Sequence, residues 1–182
     1  MVDGIEALRG IDPKAPLIVS IDQPWGEYIA REDQELTPFS FADTLVRGEL
    51  GVAGIGLELN LGYWPGGTLP RDLLEISRML DRWSQLGLPL LLMISAPSSD
   101  QTDPLAREGA VPLAGASQAS QQRLLESLLP MLLAKHPVQG IIWNQTFDAR
   151  PHSFAHGGLF DAQGQPKLAL QTIADLRSRY LG

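Results

Sequence analysis

Four short, almost unbroken apolar runs constrain this chain more than any other feature: "PLIVSI" at 16–21, "AGIGLEL" at 53–59, "LPLLLMI" at 88–94 and "VQGIIW" at 138–143. Strands with so little polar interruption are those covered on both faces, as in parallel sheets. Helical patterns separate them. Thr37 before Pro38 is a helix start, with Gly51 as its stop. The stretch 70–86 places Leu73, Leu74, Leu80, Trp83 and Leu86 close to one face before Gly87 ends it. A third helix over 117–135 contains Pro130, which predicts a kink or two shorter pieces. The last, 166–181, puts Ala169, Ile173, Leu176 and Tyr180 on one stripe.

Strand–helix alternation repeated four times specifies an α/β fold with a parallel sheet, read here as a single domain over 1–182. Four β/α units can form a small open sheet or half of an eight-stranded barrel. The 182 residues, 44% of them apolar, are enough for a sizeable core. A formal net charge of -7 argues against nucleic acid and anionic membrane as partners. Without cysteine there is neither a disulfide framework nor a thiolate metal site. The start "MVDGIEALRG" lacks the basic and apolar regions of a signal peptide, and no apolar run is long enough to span a bilayer, so a soluble chain is expected.

In parallel α/β folds, function sits at the carboxyl ends of the strands. The segments there are polar and aromatic: "DQPWGEY", "NLGYWPGG", "SAPSSDQTD" and "NQTFDARPHSFAHGG". Asp22, Gln23, Trp25, Glu27 and Tyr28 combine aromatic rings with carboxylates and an amide, a composition that holds sugars by stacking and by hydroxyl hydrogen bonds. The alternative is a tryptophan that covers the sheet end beside solvated acids. By strand alternation Glu58 and Asn60 point with Gly56 to one side, opposite Leu57 and Leu59. Two roles stand for Glu58: acid chemistry at a barrel mouth, or a structural hydrogen bond to a neighbouring strand.

Tyr63 and Trp64 in "GYWPGG" suit a glycan-stacking rim or a packed loop tip equally. Trp143, Asn144, Gln145 and Asp148 close the last strand as site-lining candidates. His152 and His156 have the spacing of helical zinc ligands, but Pro151 and Gly157-Gly158 oppose a helix, so no metal is expected. The glycines of "GVAGIG" lead into a strand instead of following one, and no phosphate loop or serine elbow is present; no cofactor is expected. The loop 96–116 is functional or mobile.

The segment 138–167 resembles the end of family 10 glycoside hydrolases, the xylanases. That family's strand "GIT.WG", Asp, Ser-Trp, "LFD" and "PKP" correspond here to Gly140-Ile141-Ile142-Trp143, Asp148, Ser153-Phe154, Leu159-Phe160-Asp161 and Pro166-Lys167. Gln118-Ala119 matches the "QA" that opens the preceding helix. "GIGLELN" is similar to the family's "GIG.Q.H", with Glu58 for the Gln and Asn60 for the His, and "GLPLLLMI" is similar to "GLPI.ITE".

The resemblance implies that the four strands are the fifth to eighth of a (β/α)₈ barrel whose parent binds or cleaves β-linked polysaccharide, xylan first. Oligo- or polysaccharide is then the expected partner, together with a second copy or an N-terminal half to complete the barrel. The resemblance also marks departures. The family's acid/base Glu lies before the first residue of this chain, its nucleophilic Glu falls at Ile94 or Ser95, and its Ser-Trp tryptophan is Phe154. From Met93 to Ser98 there is no Asp, Glu, His, Lys or Cys. Glu58 is therefore the candidate catalytic carboxylate, ahead of Asp100 and Asp103 on the long loop. The alternative is a non-catalytic glycan-binding or structural half-barrel.

Overall fold

The computed structural model describes residues 2–107 and 109–182. A helix α1 (Val2–Ile11) precedes strand β1 (Leu17–Ile21), and a short α2 (Ile29–Glu32) and α3 (Pro38–Arg47) follow it. Then come β2 (Val52–Asn60), β3 (Tyr63–Pro65), α4 (Leu73–Ser84), β4 (Leu90–Ser95), β5 (Ala110–Pro112), α5 (Gln118–Leu133), β6 (Val138–Trp143) and α6 (Leu168–Tyr180). The main sheet has the order β1-β2-β4-β6, all parallel. Each crossover carries a helix, and right-handed crossovers in a sheet of sequential order place those helices on one face.

That face is the core. Val19, Ile21, Ile55, Leu57, Leu59, Leu90, Leu92 and Ile94 point from the strands into a cluster with Leu45 of α3, Ile76, Leu80 and Trp83 of α4, Leu125, Leu128 and Leu132 of α5, and Ala169 and Leu176 of α6. The alternate residues Ile18, Ser20, Glu58, Leu91, Met93 and Ile142 line the opposite face, where Ile18 is 52% and Ile142 45% exposed. Leu91 leans over Gly140 and Met93 over Gly56: a Cβ at these glycines would meet Leu91 Cδ1 at 2.6 Å and Met93 Cε at 2.9 Å. The four strands are therefore buried on one face and only half-covered on the other.

Helix starts follow their caps. Thr37 Oγ1 accepts from Ser40 N, Asp72 forms a capping box with Glu75, and Ser117 forms one with Ser120. Helix α3 ends earlier than the glycine signal at Gly51: it closes at Gly48, and Glu49 at φ 53° turns the chain first. Helix α4 begins at Leu73, and its buried stripe is Ile76, Met79, Leu80 and Trp83, whereas Leu73 and Leu74 in its first turn are exposed. Helix α5 runs as one element through Pro130. On α6, Tyr180 is exposed while Ala169 and Leu176 are buried.

Helix α1 and the β3–β5 pair carried no strong sequence signal. Helix α1 sends Arg9 to the carbonyls of Ala15 (2.6 Å) and Gly51 (2.7 Å), tying it to the chain entering β1 and β2. Strands β3 and β5 pair antiparallel, Tyr63 with Pro112 and Pro65 with Ala110, and so fasten the long loop 96–116 to the loop after β2. Among the described residues, no helix is long and apolar enough to cross a membrane.

Candidate functional site

Glu58 and Asn60 occupy alternate positions at the carboxyl end of β2, and a hydrogen-bonded row crosses the sheet through them. Ser20 Oγ donates to Glu58 Oε1 (3.0 Å), Asn60 Nδ2 donates to Glu58 Oε2 (3.4 Å), and Asn144 Nδ2 donates to Asn60 Oδ1 (3.4 Å). The row needs the parallel register, in which Ser20 sits opposite Gly56 and Asn60 opposite Ser95. Glu58 thus makes the cross-strand bond to Ser20 and still reaches an open cavity.

That cavity, of about 460 Å³, is lined by Glu58, Asn144, Gln145, Thr146, Phe147, Arg150, Pro151, His152, Ser153 and Phe154. It combines one carboxylate, amides, hydroxyls and two phenyl rings on the carboxyl side of a parallel sheet. Such a surface can hold a small polyhydroxylated ligand by ring contact and hydroxyl hydrogen bonds. Among the described residues, no cluster of three or more His, Asp or Glu is arranged to hold a metal ion.

Of the sequence candidates, Glu58, Asn60, Asn144 and Gln145 come together here. The others are placed elsewhere. Asp22 is exposed at the end of β1, and Gln23 is buried at φ 42°. Trp25 lies under the Arg71 guanidinium, 5.2 Å from the ring centroid, and faces an outer groove with Phe39, Met79 and Trp83. Glu27 is paired with Arg71 (3.0 Å). Tyr28 is half-buried, and burial, then the charges of Asp22 and Glu32, raise its pKa.

Tyr63 is fully buried, its hydroxyl donating to Ala155 O (3.0 Å). Burial, then the charges of Asp148 and Asp103, hold that phenol well above its ordinary pKa. Trp64 is covered by Arg31, 5.3 Å from the ring centroid. Trp143 turns into the helix layer beside Leu129, Ile173 and Leu176, and its Nε1 donates to Gly157 O (2.8 Å). Asp148 is 4% exposed, accepting from Gly158 N (2.7 Å) and Gln145 Nε2 (3.0 Å) on one oxygen and pairing with Lys167 Nζ on the other.

Lys167 also donates to Ser98 Oγ (2.7 Å) and His156 O (3.1 Å), so one buried cation joins the loops after β4 and β6. A second clamp is built on Asp103, which accepts from His152 Nε2 (2.9 Å), His156 N (3.0 Å) and Leu105 N (3.0 Å). Burial pushes the Asp103 carboxyl up, but those hydrogen bonds and the His152 charge outweigh it and hold it below the usual value. Asp100 is likewise lowered, first by the hydrogen bond from Gly115 N (2.8 Å). Both loop carboxylates therefore have local structural partners, and neither lines the cavity.

Phe147, Arg150, Ser153 and Phe154 line the cavity but were not among the sequence candidates. All four fall in the run "NQTFDARPHSFAHGG", whose mixture of rings, amides and a cation was the available signal. Lys167 was missed as the partner of Asp148, because a buried ion pair 19 residues apart leaves no local pattern.

The architecture has solved counterparts. The native xylanase 10B of Thermotoga maritima superposes with a TM-score of 0.66 at 18% identity, over 98% of this chain and 51% of that one. The xylanase 10B of Thermotoga petrophila, solved in complex with xylobiose, gives 0.65 at 18% identity, over 100% of this chain and 52% of that one. The fold is half of a (β/α)₈ barrel. An endoxylanase from a sugarcane soil metagenome agrees, with a TM-score of 0.62 at 19% identity, over 97% of this chain and 53% of that one. The half-barrel spans about half the length of these xylanases. No family model matches the sequence, and no curated protein does.

Proposed function

We propose that this half-barrel is a glycoside hydrolase-like unit that binds β-linked polysaccharide, xylan first, in the cavity between the carboxyl ends of β2 and β6. The observation that carries this is the cavity's lining, one carboxylate with amides, hydroxyls and phenyl rings, on a fold whose solved counterparts are xylanases. Glu58 and Asn144 are the central polar groups, and Phe154 supplies a ring face.

Binding is the activity expected of the half-barrel by itself. Retaining hydrolysis needs two carboxyl groups roughly 5 Å apart, and Glu58 is the sole carboxylate among the described residues lining the cavity. Of the two positions that the resemblance aligns with the family's nucleophile, Ile94 points into the helix-covered core, while Ser95 shares the face of Met93 and is buried beside Asn60. Neither carries a carboxylate. Cleavage of the polysaccharide is assigned to an assembly that adds a second carboxylate opposite Glu58.

Calorimetric titration with xylotetraose tests the reading. Saturable heat is expected, with affinity falling about tenfold in Asn144→Ala and in Phe154→Ala, as loss of a hydrogen bond or ring contact of roughly 1–1.5 kcal/mol would produce. Absence of heat from the folded chain, or unchanged affinity in both variants, would overturn it.

A further inference from the structure

The chain is acidic, with a net charge of -7, and holds 14 lysines and arginines. Arg31, Arg47, Arg71, Lys135 and Lys167 each pair with a carboxylate. Arg150 is among the others. It lines the cavity, is exposed, and has no carboxylate within ion-pair distance among the described residues. Its guanidinium stands 5.9 Å from the centroid of Phe147, which is itself stacked on Phe160 at 5.0 Å and 25°. Its backbone is fixed as well: His152 Nδ1 donates to Arg150 O (2.6 Å), and Asp103 holds the other ring nitrogen (2.9 Å). A guanidinium presented in this way offers a planar fork of donors whose natural complement is a carboxylate.

We propose that Arg150 makes the cavity selective for glycans that carry a carboxylate, that is, β-linked chains bearing uronic acid units. This inference rests on the sugar-binding reading above and adds the chemical class of the ligand. The two charges of the cavity set its orientation. The uronate carboxylate lies against Arg150, while the like charge of Glu58 keeps it from that side, where a neutral ring and its hydroxyls fit against Glu58 and Asn144. Phe154 takes an apolar ring face, and Ser153 is also in the lining.

The test compares two ligands of similar length, neutral xylotetraose and a xylotriose carrying one glucuronic acid, titrated by calorimetry into the intact chain at low and at raised salt. The acidic ligand is expected to bind about tenfold more tightly at low salt, with the preference shrinking as salt screens the pair. In Arg150→Gln the ratio of the two affinities is expected to fall to about one, and Arg150→Lys is expected to keep part of it, since an ammonium supplies charge without the fork. Because the readout is a ratio within one preparation, partial misfolding of a variant does not imitate the result. Equal affinities in the unaltered chain, or an undiminished preference in Arg150→Gln, would overturn the role of Arg150 and leave sugar binding intact. Failure of both ligands to bind would overturn the sugar-binding reading, and this inference with it.

Discussion

Lys167 shows how much of the mouth depends on single buried groups. The residue is 3% exposed, and its ammonium is satisfied by Asp148, Ser98 Oγ and His156 O, which belong to two different loops. Removing one partner of a buried pair leaves the other charge uncompensated and costs about 3–5 kcal/mol. Lys167→Met is accordingly expected to lower the unfolding free energy by about that amount in a denaturant titration, and the double variant Lys167→Met/Asp148→Leu to recover part of it. A loss in the single variant below about 1 kcal/mol, the range of exposed pairs, would show that the pair is solvated. Residues of this kind were the least legible in the sequence. The polar character of Asp148 was plain, but whether it faced ligand or lysine depended on a contact 19 residues away. Trp25, Glu27, Tyr63 and Trp143 have the composition of a sugar site, and long-range partners (Arg71 for the first two, Ala155 O and Gly157 O for the others) draw them elsewhere. Glu58 and Asn60 were better placed by reasoning, since strand alternation alone fixes their side.

At the scale of elements, the four main strands and the helices between them were legible because hydrophobic period and caps act locally. Their observed bounds differ from the expected ones by a few residues, as frayed ends and cap geometry dictate. The β3–β5 pairing was not legible, because three-residue strands brought together across the long loop have no period to detect. That pairing and the Asp103 clamp give the loop 96–116 ordered structure on either side of residue 108. The clamp is pH-dependent with a definite sign. Since the folded state holds the Asp103 pKa below its unfolded value, its contribution is complete above the unfolded value of about 4 and is lost as pH falls through the lower folded one. Asp103→Asn is expected to cost about 1–3 kcal/mol at neutral pH and to flatten the decline of Tm between about pH 5 and pH 2, followed by circular dichroism. An unchanged acid slope would remove Asp103 from the account of acid stability.

For the molecule as a whole, the half-barrel leaves unfinished surfaces. Strands β1 and β6 are edges of the four-stranded sheet, and the face bearing Ile18, Leu91, Met93 and Ile142 is incompletely covered. In the solved xylanases the matched region is about half of a longer chain. The isolated half-barrel is expected to cover this face by association, giving twice the monomer mass in light scattering, with Ile142→Lys shifting it toward monomer; a well-folded monomer would contradict this. Ligand binding at the mouth is tested by a map of backbone amide shifts as xylotetraose is added. Perturbations are expected to concentrate at Glu58, Asn60, Asn144, Gln145, Ser153 and Phe154. Perturbations gathered instead around Trp25, Phe39 and Trp83 in the outer groove, or none at saturating ligand, would contradict it.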